Sequence, residues 1–292
     1  MSEEISASRQ SFRYEDSVVI NYEVDGDGPT PVVFLHGFAA GLITWEDIRP
    51  LFPVARFRLY LIDLKGFGFS SKPCDSRYTP EEQASVVISF MQAKKLHHAV
   101  LIGHSLGGGI ALLALRQGEA EGARELIDSL ILIDCAAYPQ QLPRILRFLR
   151  VPALGWAILH FLPVRLMVFY TLIHIFHDKK VVTPERVTRY LTCFGREGID
   201  HVFIETCRSL IPDRYRTISD FYRTIGIPTL IIWGGEDQII SCLNGKRLQS
   251  DIPGSRLAII ANCGHNPHEE RPAETFAAIA EFLGISQNRE LH

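Results

Sequence analysis

The chain has no surplus of either charge: 30 Lys and Arg stand against 33 Asp and Glu, for a net charge of −3. With no basic stripe to neutralise phosphates, nucleic acid is not an expected partner. Its six cysteines, at 74, 135, 193, 207, 242 and 263, include no C-x-x-C pair and no zinc spacing. That pattern fits free thiols in a reducing compartment, with no metal and no cofactor implied. The first ten residues, MSEEISASRQ, hold no apolar stretch and so no secretory signal, making a cytoplasmic location the expectation. Internal repeats and low-complexity tracts are absent as well. So is an unbroken apolar run of about 20 residues, the length a spanning helix needs. The nearest approach, VPALGWAILHFLPVRLMVFYTLIHIF at 151–176, is interrupted by Pro152, His160, Pro163, Arg165 and His174. It predicts two short amphipathic helices and leaves room for peripheral contact with a membrane, without a transmembrane segment.

What is present is an ordinary globular composition, 47% hydrophobic and 22% charged, over 292 residues. That is enough chain for one large core with a sub-domain. SVVINYEVDGDG alternates and then turns at Asp-Gly, a hairpin signal. TPVVFLHGF and FRLYLIDLKGFGFSS each read as a buried strand running into a glycine-bearing loop. TPEEQASVVISFMQAKK opens with a threonine cap, a proline at the first helical position and two early acids, so it predicts a helix. The strand HAVLIGHS, the helix LGGGIALLALRQG and the strand LIDSLILIDCAA follow. Later come the strands GIPTLIIWGGED and SRLAIIANCGH and a last helix, AETFAAIAEFLG. Continuous apolar strands alternating with helices predict an α/β fold with a mostly parallel, doubly wound sheet. The alternation lapses from about 139 to 214, which predicts a helical cap (139–214) inserted into a core of residues 1–138 and 215–292.

In such sheets ligands lie beyond the carboxyl ends of the strands. The residues placed there are His36-Gly37-Phe38, Asp63, His104-Ser105-Leu106, Asp134, Asp237 and Cys263-Gly264-His265. GHSLG, at 103–107, is a G-x-S-x-G sequence with a strand before it and a helix after it. Glycines two residues either side relieve the crowding of so tight a turn, and Gly108 and Gly109 let the helix approach the sheet. The turn lifts the Ser105 hydroxyl into the crevice and aims a helix N-terminus at developing negative charge. A hydroxyl needs a base oriented by a carboxylate. His265 and Asp237 arrive after later strands in the order Ser, acid, His.

FLHGF, DLKGFGFS, GHSLGG, GGEDQII and CGHNPHEERP, in that order, resemble the strand-end motifs of the α/β-hydrolase superfamily, and the resemblance covers nearly the whole chain. It implies Ser105 as nucleophile, His265 as general base and acid, and Asp237 as its orienter. The oxyanion hole it implies is made by the backbone N–H groups of Phe38 and Leu106. Asp134 is the rival acid, because some relatives place it at the preceding strand end. Haloalkane dehalogenases and epoxide hydrolases put aspartate at the elbow, and this chain has serine.

The expected chemistry is acyl transfer: a carboxylic-ester hydrolase acting on an apolar small molecule under the cap. A carbon–carbon bond hydrolase of ring-cleavage products is the alternative within enzymes, with Arg150, Arg165 and Arg189 as candidate polar contacts. A ligand-binding receptor that kept the fold is the alternative outside them. His36 and His104 are read as loop and packing residues that also border the pocket. Trp156, Phe161 and Phe169 are expected to roof it. His268 is assigned to the loop before the last helix, and Asp63 to tying down the glycine loop after it. His160, His174, His177 and His201 lack ligand spacing.

Overall fold

The computed structural model describes residues 9–139, 144–194, 197–210 and 218–285. Eight strands form one sheet: β1 (Arg9–Glu15), β2 (Val18–Asp25), β3 (Thr30–Leu35), β4 (Phe57–Ile62), β5 (Ala99–His104), β6 (Ile127–Ile133), β7 (Thr229–Gly234) and β8 (Arg256–Ile260). Their order is β1-β2-β4-β3-β5-β6-β7-β8. β2 is antiparallel to both neighbours, and every pairing from β4 onward is parallel.

Side-chain alternation along these strands feeds two cores, one on each face. Val33, Leu35, Leu101, Ile231 and Trp233 enter one, and Val32, Phe34, Ile102, Leu230 and Ile232 the other. Both faces are covered, which is why the strands read as unbroken apolar runs. Each large side chain buried this way contributes about 1.5–3 kcal/mol. Helices α1 (Pro80–Ala93) and α2 (Leu106–Ala120) cover the first face. The Thr79 hydroxyl accepts from the Glu82 N–H at 3.2 Å, the cap that starts α1.

Between β6 and β7 lie α3 (Arg144–Leu149), α4 (Pro152–Phe161), α5 (Val164–Ile175), α6 (Pro184–Phe194), α7 (Ile199–Ser209) and α8 (Ile218–Tyr222). Among the described residues of this span no strand occurs; the expected boundary at 214 lies outside them. After β7 come α9 (Leu243–Asp251), α10 (Pro267–Glu270) and α11 (Pro272–Phe282). The apolar run at 151–176 becomes α4 and α5, which meet at Pro163 with a bend of 104°. No single helix among the described residues is long and apolar enough to cross a membrane.

One expectation fails. The Asp-Gly turn after β2 does not close a hairpin, because β2 pairs with β1 and β4, not with β3. The hairpin lies at the other end, where Asp16 and Ser17 join β1 to β2. Gly28 serves a close crossing instead. Its N–H donates to the carbonyls of Val54 and Phe57, and a Cβ on it would lie 2.1 Å from the Arg56 carbonyl carbon.

Candidate active site

β5 runs straight into α2 through Ser105, whose backbone is held at φ 51°, ψ −116°. A non-glycine residue with positive φ is strained, and a turn this tight tolerates no side chain beside it. A Cβ on Gly103 would sit 2.4 Å from the Gly107 carbonyl oxygen, and one on Gly107 2.2 Å from that of Leu35. The strain is held by backbone bonds. Ser105 N–H donates to the Ile133 carbonyl at 2.9 Å, and the Ser105 carbonyl accepts from the Ala136 N–H at 2.9 Å.

Three loops meet at the hydroxyl. Ser105 Oγ lies 2.9 Å from His265 Nε2, and His265 Nδ1 lies 2.8 Å from Asp237 Oδ2. The second Asp237 oxygen accepts from the N–H groups of Ile239 and Ile240 at 2.7 and 3.0 Å, so the carboxylate cannot rotate away. Burial pushes the Asp237 carboxyl up, but the neighbouring His265 and the Ile240 N–H outweigh it. The carboxyl ends below its usual range.

Asp134 is not remote from this chain of contacts. Its Oδ1 accepts from the Gly234 N–H at 3.0 Å. Asp134 is fully buried, and its burial and the charge of Asp237 push it well above the usual carboxylate range. Its other oxygen, Oδ2, is buried without a hydrogen-bond partner among the described residues. Asp134, Asp237 and His265 bring ligand atoms within 4.8 Å of one another, the one such cluster among the described residues. Both His265 nitrogens and both Asp237 oxygens are already engaged, so the arrangement is that of a hydrogen-bonded relay.

The turn after β3 lies against the serine: a Cβ on Gly37 would be 3.2 Å from Ser105 Cβ. The N–H groups of Phe38 and Leu106 have no acceptor among the described residues. The Phe38 ring packs on Phe67 at 5.9 Å and on Phe203 of α7 at 5.2 Å.

The histidines fall differently from one another. His36 is fully buried; its Nε2 accepts from the Leu64 N–H at 3.0 Å, which leaves Nδ1–H to donate to the Gly37 carbonyl at 2.7 Å. Both nitrogens therefore hold the turn, the loop role expected of it. His104 Nε2–H donates to the His265 carbonyl at 2.8 Å, and burial drives its pKa down to about 3, so it is a neutral strut under His265. His268 is not in a loop but in α10. It is buried between Trp45 and His104, with centroids 4.4 and 4.5 Å away. Asp63 does tie down its loop, accepting from the N–H groups of Leu42 and Phe69 at 2.8 Å each.

Trp156, Phe161 and Phe169, expected to roof the cleft, are all exposed. They present 47, 72 and 44% of their surface to solvent. Trp156 stacks on His160 of its own helix, and Phe161 packs edge-on against both. The apolar runs of α4 and α5 were too uniform to show which face turns inward, and the inward stripe is Val168 and Leu172.

Two glutamates of α10 were not read from the sequence, because adjacent acids ordinarily mark a solvated face. Glu270 accepts from the N–H groups of Gly264, His177 and Asp178 at 2.7, 3.1 and 2.6 Å, clamping the insertion to the His265 loop. Glu269 is buried with Tyr190, whose hydroxyl donates to it at 2.6 Å, and with Arg186 at 3.3 Å. Burial raises its carboxyl to about 7 despite Arg186 and Tyr190. The folded protein thus binds a proton here that the unfolded chain releases near the usual 4.5, so stability falls as pH rises from 4.5 to about 7. Glu269→Gln removes that dependence. Its stability relative to wild type is expected to improve by about 3 kcal/mol across the window, measured by denaturant unfolding at a series of pH values. A difference independent of pH contradicts this.

The profile of the Alpha/beta hydrolase family matches residues 32–279. An uncharacterized hydrolase of Bacillus subtilis (strain 168), YugF, is 30% identical over 271 residues, covering 92% of this chain and 95% of its own. The 2-hydroxymuconate semialdehyde hydrolase of Pseudomonas sp. (strain CF600) is 26% identical over 270 residues, 89% of this chain and 88% of its own. Among solved structures, a membrane phospholipase A described as a bacterial virulence factor is similar at a TM-score of 0.75 and 27% identity. That match covers 95% of this chain and 86% of the other.

Proposed function

The chain belongs to the alpha/beta hydrolase family, and from that premise we propose that it is a serine hydrolase of carboxylic esters with an apolar acyl or alcohol part. The observation that carries this reading is the continuous set of contacts from Ser105 Oγ through His265 to Asp237, at 2.9 and 2.8 Å. Ser105 Oγ attacks the ester carbonyl as its proton passes to His265 Nε2. Negative charge on the carbonyl oxygen is taken up by the unpaired N–H groups of Leu106 and Phe38, which need no reorganisation to receive it. His265 then gives the proton to the leaving alkoxide, releasing the alcohol and leaving an acyl-enzyme. Water, deprotonated by the same imidazole, attacks the acyl carbonyl and frees the acid and Ser105.

Phe38 and Phe203 support an apolar substrate, since they set aromatic surface beside the oxyanion turn. In this reading the insertion is a cap, and α7, not α4, supplies its inner wall. The carbon–carbon hydrolase alternative draws support from the Pseudomonas relative. It loses one polar candidate, because Arg189 is already paired with Glu46 and Asp47 at 3.1 and 3.3 Å.

A series of p-nitrophenyl esters tests the reading. Each methylene buried adds about 0.8 kcal/mol, roughly fourfold in kcat/KM. The specificity constant is expected to climb from acetate to medium chains before levelling, when measured below micelle-forming concentrations. An optimum at acetate refutes an apolar pocket. Turnover confined to a vinylogous diketone, with every ester inert, makes the carbon–carbon reaction the function.

A further inference from the structure

We propose that α4 and α5 form a docking surface for an anionic lipid bilayer, on which the protein sits with the corner at Pro163 pressed into the headgroup layer. Nothing in this depends on which bond is hydrolysed.

The first observation is where exposed apolar surface lies. Nine of the thirteen exposed large apolar side chains among the described residues fall between Phe148 and Tyr170. The corner itself is the extreme: Phe161 is 72% exposed, Leu166 58% and Leu162 45%. α4, PALGWAILHF, contains no Asp, Glu, Lys or Arg, and of its ten residues only Gly155 is buried. A helix facing water normally carries a polar face, and this one has none. α5 does have an inner stripe, Val168 and Leu172, but its opposite side shows Leu166, Phe169 and Tyr170 to solvent. Soluble surfaces rarely gather so much exposed apolar area without something that covers it.

The second observation, charge, identifies the cover. Residues 135–184 contain six of the chain's 30 basic residues and one of its 33 acids, Asp178. Arg147, Arg165, Lys179 and Lys180 are all exposed. Neither Arg147 nor Arg165 pairs with a carboxylate among the described residues. Apolar side chains mixed with basic ones, including an exposed Trp and Tyr, are the composition of a segment lying in an anionic interface. A second copy of the chain fits poorly, because a two-fold contact would set each basic segment against its equal. The break at Pro163 agrees with lying on a bilayer and not crossing it, since two short helices bent by 104° bury their outer faces at shallow depth.

Trp156 supplies a clean reporter, because Trp45 and Trp233 are wholly buried and Trp156 is half exposed. The full chain is mixed with vesicles of phosphatidylcholine alone and of phosphatidylcholine with phosphatidylglycerol, at low and high salt. Co-sedimentation with the anionic vesicles is expected, weakened by salt and accompanied by a blue shift of emission. Leu162→Gln/Leu166→Gln/Tyr170→Gln should lower the bound fraction roughly tenfold or more. Arg147→Gln/Arg165→Gln/Lys180→Gln should remove the preference for anionic vesicles. Both variants alter exposed side chains, so hydrolysis of a soluble ester and the melting temperature serve as controls for folding. Three results overturn the proposal: no binding to either vesicle, binding that the two variants leave unchanged, or a concentration-dependent dimer that the apolar variant dissolves.

Discussion

Ser105→Ala is expected to lower ester turnover by about 10⁴-fold or more, and to abolish covalent labelling by a fluorophosphonate. On the proposed mechanism the loss is large because the Ser105 hydroxyl is the group that bonds to the substrate, and without it the proposed base and oxyanion donors have nothing to assist. The fold should survive. The substitution removes one oxygen, and the positive φ of Ser105 is imposed by Ile133, Ala136 and the flanking glycines, not by the side chain. A mutant that hydrolyses esters at near the wild-type rate removes Ser105 from the reaction. Wild-type protein that resists the fluorophosphonate while cleaving esters does the same.

The next largest effect separates two neighbouring acids. Asp237→Asn should cost about 10⁴-fold in kcat. One Asp237 oxygen accepts from Ile239 and Ile240 N–H, so an asparagine oxygen is claimed there and its NH₂ is turned toward His265 Nδ1. Two donors then face each other unless the imidazole adopts the tautomer in which Nε2 carries the proton and cannot accept one from Ser105. Asp134→Asn should keep the rate within a few-fold, because Asp134 makes no hydrogen bond to Ser105 or His265 and an amide oxygen can still accept from the Gly234 N–H. Steady-state kinetics on both variants decide this. Reversed effects would make Asp134 the orienting acid.

The contrast between those acids was only half legible beforehand. Their strand-end positions followed from apolar runs ending in Asp, a local pattern. That their side chains lie within 4.8 Å depends on β6 and β7 being adjacent and in register, with Ile133 opposite Ile232. The elbow was readable because Gly103, Ser105 and Gly107 act within five residues, and every expected strand end was found at the same edge of the sheet. β1 escaped notice because RQSFRYE has only Phe12 and Tyr14 turned toward the body, too few for a periodic signal. The Asp-Gly turn after β2 misled because glycine serves a tight crossing as readily as a hairpin. The orientation of α4 and α5 was hidden by their uniform hydrophobicity, and the burial of Glu269 and Glu270 by their charge. For the glutamates the deciding contacts come from residues far along the chain, Tyr190, Arg186 and His177 among them.

In the proposed reading, where the insertion is a cap, the Glu270 clamp limits how that cap can yield to a substrate. The carboxylate grips Gly264, His177 and Asp178 together, and the His265 N–H is bonded to the Ile175 carbonyl at 2.7 Å. A cap swinging outward as one rigid plate would tear three hydrogen bonds, those of His177 and Asp178 to Glu270 and that of His265 to Ile175, dragging the imidazole off Ser105 during the step that needs it still. The end of α5 is therefore a fulcrum. Whatever travel admits a substrate belongs to the arms on either side of it, α3 and α4 on one and α7 on the other, while the His265 loop stays at rest.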